Sequence, residues 1–525
     1  MKTIKYSLIA LAVLMLCSCS KKDYLKVIPA NSAMVASVNV RSLMEKGDFA
    51  NSSLMDMISD RMDDLDDDDR FGKYMDDPMA TGIDLAEPIY TFITRDNLYG
   101  IVMGVRDKDK LEEFFTDLRK ADIVSRPTEK KGVMCGKMEN MGYAFTDDAL
   151  LFYMNLDFKD VSSSTITKMM TGKHDSFTDT DSYKKVSDAD GEDAMLYLNL
   201  YNLPKEAKEV FAQYEEGVSL KPTDVELLAS LTFDKGVATL KAKAWGRTEK
   251  AQKFLDEQAE DLHTLEGVFA DRTPDDLLLW AAANVSGDKV WKELKKNETL
   301  QQQIGYLTND IDVEPLIRAV SGDMALALSA GDLKNYNSVS SNYWEDWNDY
   351  YYYYYDDFEN YDDFYYAKHG TGRRNIPEFS LWTQVKSTSF MKKADEWQSA
   401  LASEYTEMTQ DGDHSYVLKN KGDEVKFGTK DNDFFIATPH AYNAYRGGSA
   451  LDEYKDDIKK SYAFMFLDLH SLLRMDDNLL RQLAGMNINL EDLKSAVVKV
   501  TAPNEMTLQI FMEDDDENFL KQLFE

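Results

Sequence analysis

Ala33-Met34-Val35-Ala36-Ser37-Val38-Asn39-Val40 is the stretch on which the fold turns, with Leu43 four places after the asparagine. Its side chains alternate at period two, which predicts a half-buried strand. Asn39 then suits a strand-to-helix junction, where a short polar side chain can take up exposed backbone N–H groups. The same pattern returns at Ala194–Leu200, Leu277–Val285 and Tyr462–Leu469, with Asn199, Asn284 and Asp468 in the polar place. Leu203 and Leu472 repeat the leucine, while the third copy departs, with Asp288 there and Val290 beyond it.

The elements downstream recur in order. A strand at Tyr99–Val105 precedes a helix carrying Leu111, Phe114, Phe115 and Leu118; a strand at Leu381–Val385 precedes one carrying Met391 and Trp397. Strand clusters follow at Val133–Cys135, Tyr143–Phe145 and Leu150–Met154, and again at Tyr416–Leu418, Val425–Gly428 and Phe434–Ala437. Leu228–Phe233 with Val237–Trp245, then Ala496–Val500 with Met506–Met512, read as hairpins ahead of closing helices. The expected fold class is therefore α+β, a duplicated architecture of antiparallel or mixed sheets with helices packed on one face. The first half is 27–268, with a long unit 27–175 and a short unit 190–268. The second is 269–525, with a long unit 269–447, a short unit 455–525 and an inserted loop at 334–376.

Composition narrows the function classes. The chain has 525 residues and a formal net charge of −34, which argues against a nucleic-acid partner, since such partners need clustered cations. Three cysteines exclude a disulfide scaffold.

Lys2 and Lys5 precede a ten-residue apolar run, Ser7–Leu16, too short to span a bilayer and suited to the core of a signal peptide. Leu16-Cys17-Ser18-Cys19 then looks like a bacterial lipobox, with aliphatic Leu16 three places before Cys19 and small Ser18 just before it. The expectation is a signal peptide at 1–18, lipidation at Cys19 and a polar tether at 19–26. The membrane is then a partner through the anchor, and the address is the outer membrane, on the cell surface or the periplasmic face. Cys135 would remain as a small apolar residue on a strand.

Ile28-Pro29-Ala30, with the Ala33–Val40 strand and its helix, resembles the opening of an uncharacterised lipoprotein family of Bacteroidota-type Gram-negative bacteria, a family known only as a domain of unknown function. The resemblance covers most of the chain after the signal. It implies an envelope lipoprotein and brings no catalytic residues with it.

One segment is set apart by composition. Residues 343–366 hold Tyr343, Tyr350, Tyr351, Tyr352, Tyr353, Tyr354, Tyr355, Tyr361, Tyr365 and Tyr366, ten of the 29 tyrosines, with Trp344, Trp347 and eight interleaved carboxylates. The matching hairpin of the first half is closed by Arg95-Asp96-Asn97 alone, so this is an insertion at a hairpin tip. Tyrosine offers rigid contact area with a polar handle, which suits a protein or glycan partner. No cofactor is expected, although the carboxylates could collect Ca²⁺ loosely. A low-complexity loop with no dedicated ligand explains the segment equally well. The acidic run Asp63–Asp69 reads as a solvated charge block, and Asp188-Ala189-Asp190-Gly191 fails the EF-hand pattern, with Tyr197 at position twelve.

Catalytic patterns are poor. The six histidines show no zinc-helix spacing, and there is no nucleophile elbow, phosphate loop or dinucleotide turn. Ser182-x-x-Lys185 and Ser389-x-x-Lys392 match S-x-x-K without the partner motifs. The leading expectation is a lipid-anchored envelope protein with a non-catalytic binding or scaffolding role. The alternative is an envelope-associated hydrolase using carboxylates in a cleft between the halves.

Overall fold

The computed structural model describes residues 23–48, 71–187, 192–212, 220–260, 262–296, 312–330, 378–401, 406–420, 423–444, 450–474 and 489–524. The chain divides into two compact units, one of Met1–Thr232 with Ala244–Ala251 and one of Phe233–Lys243 with Gln252–Glu525.

In the first unit the strands are β1 (Ser32–Val38), β2 (Ile89–Thr94), β3 (Leu98–Gly104), β4 (Thr128–Lys130), β5 (Val133–Met138), β6 (Met141–Phe145), β7 (Ala149–Asn155), β8 (Ala194–Asn199) and β9 (Val225–Asp234). They lie in the order β9-β8-β1-β2-β3-β7-β6-β5-β4, every neighbour antiparallel. Alternation decides the register. Ala33 and Val35 of β1 are fully buried, and Val35 sits opposite Phe92 and Tyr197 on its two flanks. The chain enters this unit through a 3₁₀ turn, Asp23–Val27, whose Tyr24, Leu25 and Val27 are at once part of the core. The Tyr24 hydroxyl donates to the Pro88 carbonyl at 3.0 Å.

In the second unit the strands are β10 (Val237–Gly246, through Lys243), β11 (Leu277–Ser286), β12 (Val320–Ser329), β13 (Phe379–Val385), β14 (Thr406–Gln410), β15 (Ser415–Asn420), β16 (Asp423–Lys430), β17 (Asp433–Ala437), β18 (Ala463–Asp468), β19 (Leu493–Ala502) and β20 (Glu505–Met512). Their order is β10-β20-β19-β18-β11-β12-β13-β17-β16-β15-β14, again antiparallel throughout. From β19 to β14 this order matches that of the first unit strand for strand.

The protein is thus a mixed α and β fold in which antiparallel sheet dominates. The helices are short; Lys108–Lys120, at 13 residues, is the longest among the described residues. The expectation of helices on one face needs correction. Consecutive strand residues point to opposite faces. On β7, Leu150 packs with Leu111 and Phe115 of the helix Lys108–Lys120, while Leu151 packs with Ile166 and Met169 of the helix Ser163–Met170. On β17, Phe434 packs with Met391 and Trp397, while Phe435 packs with Ala441 and Ile458. Both sheets therefore carry helices on both faces at these strands. That is why these strands read as continuous apolar runs instead of alternating.

Three of the four strand-end polar residues cap as expected. Asn39, Asn199 and Asp468 accept from the N–H of Ser42, Tyr201 and Ser471 respectively. Asn284 does not. There β11 runs on to Ser286 before the helix begins at Gly287, and the Asn284 amide donates to the Thr264 carbonyl and to buried Asp323.

A carboxylate ties two helices of the first unit together. Asp117, nearly buried, accepts from Lys120 at 2.9 Å and from the Tyr74 hydroxyl at 2.9 Å, with the Lys73 ammonium 3.0 Å away. Burial alone would raise its pKa; the bonds from Lys120, Lys73 and Tyr74 outweigh burial and hold it at about 2. A depressed pKa stabilises the fold above the unfolded value of about 3.9, and that contribution is lost as pH falls through the folded value. Asp117→Asn should therefore cost about 2 kcal/mol at pH 7, with the deficit shrinking below about pH 4, mostly gone by about pH 2 and absent by about pH 1. Urea midpoints across that range check this, and a deficit independent of pH would refute it.

Candidate functional site

At one end of the first unit's sheet, four chain segments converge. Strand β8 ends at Asn199, whose side-chain oxygen accepts from the Tyr201 N–H at 3.2 Å and starts a 3₁₀ turn, Leu200–Asn202. The turn sends the two side chains in opposite directions. Tyr201 points outward and is 42% exposed, while Asn202 is buried, donating to the Ser32 carbonyl at 3.2 Å. Arg95 comes from the hairpin tip between β2 and β3, which Asn97 closes with a left-handed φ of 62°. Its guanidinium donates to the Asn202 side-chain oxygen. Arg247 follows β10; its N–H donates to the Asp224 carbonyl at 2.8 Å and its Nε to the Thr223 carbonyl at 3.3 Å. Lys208 comes from the helix Lys205–Ala212.

All three cations gather on the Tyr201 ring. Arg247 lies 3.9 Å from the ring centroid, Arg95 4.9 Å and Lys208 5.1 Å. The three positive centres thus fall within a sphere about 10 Å across, no wider than a Debye length at 0.1 M salt, so they repel one another with little screening. Attraction to the negative ring face offsets part of that repulsion. Carboxylates do little to offset it. Asp224 stands 3.8 Å from Arg247, and among the described residues no carboxylate is within ion-pair distance of Arg95 or Lys208. In a chain of net charge −34, Arg95 and Lys208 thus add positive charge beside Arg247 with no ion-pair partner among the described residues.

The platform is braced from behind. Glu226 on β9 is 5% exposed, and both of its oxygens are engaged. The Trp245 indole donates to one at 2.6 Å, joined by the Ser182 hydroxyl at 2.9 Å; the Asn199 amide donates to the other at 3.1 Å. Asn199 therefore links the buried carboxylate to the Tyr201 turn. In the same layer, burial pushes the Tyr197 phenol well up. The S-x-x-K match at Ser182 and Lys185 resolves here. The serine proton goes to Glu226, and the Lys185 ammonium rests 4.7 Å from the Trp245 ring centroid. A serine nucleophile paired with a lysine base is not what these residues form.

The residues singled out from the sequence fall elsewhere. Cys19, the tyrosines and tryptophans of 343–366, Asp63–Asp69 and Asp188–Gly191 lie outside the described residues. The strand ends on either side of 334–376 are described. Leu328 pairs with Phe379, and the Ser329 N–H donates to the Glu378 carbonyl at 3.0 Å. The strand order makes β12–β13 the counterpart of β2–β3, the hairpin whose tip supplies Arg95. Cys135, half-buried on β5, packs against the core, and burial pushes its thiol up. Asp514, Asp515 and Asp516 bring carboxylate oxygens within 4.8 Å of one another, all exposed. Among the described residues no helix is long and apolar enough to cross a membrane.

The Tyr201 cluster was not legible in the sequence. Its members are far apart along the chain and share no motif. The available signals were an arginine in a tight hairpin tip and another directly after a strand.

No curated protein matches the chain. Among solved structures, crystal form I of TP0453 resembles 46% of this chain and 86% of its own, at 12% identity and a TM-score of 0.26. Crystal form III of TP0453 covers 45% and 86%, at 10% identity and 0.27. Likenesses this weak carry no argument. A family described as a domain of unknown function (DUF4836) matches residues 24–346, more than half of the chain, and the protein belongs to that family.

Proposed function

We propose that this is a lipid-anchored protein of the cell envelope with a non-catalytic binding role, and that its recognition chemistry sits at the hairpin ends of its sheets. The carrying observation is the Tyr201 cluster, three cations on one exposed ring with a single carboxylate, Asp224, paired with one of them at 3.8 Å. Charge left uncompensated at a surface is a cost unless a ligand supplies the opposite sign. The anchor is Cys19, behind a signal peptide removed at 1–18. The address is the outer membrane of a Bacteroidota-type bacterium, on its surface or periplasmic face. These parts of the reading rest on the sequence alone.

Duplication is the second part of the proposal. Nine strands occur in the same order in both units, and the pairs Leu150/Leu151 and Phe434/Phe435 hold helices on both faces at equivalent strands. The equivalent hairpin tips then carry different recognition surfaces. One is the basic Arg95 tip; the other is the aromatic and acidic insertion holding Tyr343 to Tyr366, which suits a protein or glycan partner. A hydrolase built on carboxylates gains nothing from Glu226, whose oxygens are already taken by three donors.

The test is capture from solubilised envelopes by three full-chain baits. These are the native chain, the variant Arg95→Gln/Lys208→Gln/Arg247→Gln, and a chain with 343–366 replaced by a short Gly/Ser turn. All are first checked for folding by circular dichroism. The native bait should retain envelope material that at least one altered bait loses. Equal retention by all three, or none by the native bait, would sink the reading.

A further inference from the structure

We propose that the Tyr201 cluster binds its ligand through a phosphate group. This rests on the binding reading above and names the chemistry of that site. A carboxylate has two oxygens and one charge, and a single guanidinium fork saturates it. Two guanidinium groups and an ammonium around one ring offer more donors and more charge than a carboxylate can use. A phosphate has three or four oxygens and up to two charges, and can take donors from several directions at once. Arg95 and Arg247 are held in place before any ligand arrives. Arg95 donates to buried Asn202, and Arg247 donates to Thr223 and leans on Asp224. Tyr201 fixes their separation. Pre-placed forks reduce the ordering cost of binding.

The phosphate could belong to a soluble organic phosphate or to the headgroup of a lipid. One neighbouring feature separates these sources. Phe158 is 82% exposed and holds a left-handed φ of 58°. It follows β7 at the same sheet end, where the Leu156 N–H donates to the Asn97 carbonyl at 2.8 Å beside the Arg95 tip. An exposed aromatic ring at the same sheet end as the cations suits a lipid surface, and a soluble phosphate has no use for it.

The experiment uses the full chain with Cys19→Ser, so that no acyl chain of its own drives membrane binding. Calorimetric titration with glycerol 3-phosphate and with acetate is run beside co-sedimentation with vesicles of phosphatidylglycerol or phosphatidylcholine. Glycerol 3-phosphate should bind roughly tenfold or more tightly than acetate, and Arg247→Gln should weaken it by roughly tenfold. Arg247 also braces the turn, so Lys208→Gln serves as a second variant that leaves those backbone bonds intact; it should weaken phosphate binding several-fold.

Retention on phosphatidylglycerol vesicles that Phe158→Ser reduces, without changing glycerol 3-phosphate affinity, assigns the lipid source. Phosphate binding with no vesicle preference assigns the soluble source. Acetate binding as tightly as glycerol 3-phosphate, or Lys208→Gln and Arg247→Gln binding like the native chain, would overturn the proposal. If phosphate fails to bind while the triple variant still loses envelope capture, the phosphate proposal falls and the binding reading stands. If capture is also unchanged, both fall.

Discussion

Replacing Phe115 with alanine should lower the melting temperature of the first unit by roughly 10 °C. Phe115 is 2% exposed. Its ring stacks on Tyr143 at 4.5 Å, on Phe145 at 5.1 Å and on Phe152 at 6.3 Å between centroids, and meets Phe114 edge-on at 6.0 Å. Truncation removes the transfer energy of a whole ring and leaves a cavity that four aromatic neighbours cannot collapse to fill. The expected cost is about 3 to 5 kcal/mol. A chain of two units need not melt in one step. The effect should be read by hydrogen exchange, peptide by peptide. Protection should fall across β3, β6, β7 and the helix Lys108–Lys120. Unchanged protection there would mean that this helix does not hold its face of the sheet.

The second large effect is at Glu226. Glu226→Ala strands three buried donors, the Trp245 indole, the Ser182 hydroxyl and the Asn199 amide. Each unsatisfied donor costs roughly 1 to 3 kcal/mol when solvent cannot replace its partner, and water entering the vacated space recovers part of that, so a total of about 3 to 5 kcal/mol is expected. Asn199 also holds the Tyr201 turn, so the substitution should weaken ligand binding at a ring Glu226 never touches. Glu226→Gln keeps one acceptor oxygen and should fall between. Thermal unfolding of the first unit checks the stability cost, and the glycerol 3-phosphate titration checks the positioning effect. Full stability in Glu226→Ala would mean that the three donors find other partners.

Much of the sheet was legible because alternation is a local signal. Ala33–Val40, Ala194–Leu200, Leu277–Val285 and Tyr462–Leu469 each predicted a strand now seen as β1, β8, β11 and β18 within two residues at either end. Capping was legible where the helix begins directly after the polar residue, at Asn39, Asn199 and Asp468. It misled at Asn284, because Gly287, not Asn284, marks the turn. Nothing in the sequence says that a strand has two buried faces until its partners are known. Hence helices were expected on one face, although Leu150 and Leu151 face different ones. The Tyr201 cluster is harder still. Its charges attract attention only after β2, β8 and β10 bring their ends together, and no window of sequence contains two of its three cations.

The opening turn of the described chain bears on how such a protein would stand on a membrane. Tyr24, Leu25 and Val27 are core residues, so Asp23 leaves almost no slack between the packed domain and Cys19 four positions earlier. Four residues stretch no further than about 14 Å. Tyr24 contacts Pro88 and lies beside Gly104, at the opposite ends of β2 and β3 from Arg95 and Asn97. Those strands are roughly 20 Å long. With acyl chains on Cys19, the domain would be moored on a short leash by its far edge. The Tyr201 platform would then be lifted clear of the leaflet that holds it, and a soluble phosphate or the headgroups of a facing membrane would reach it before that leaflet did.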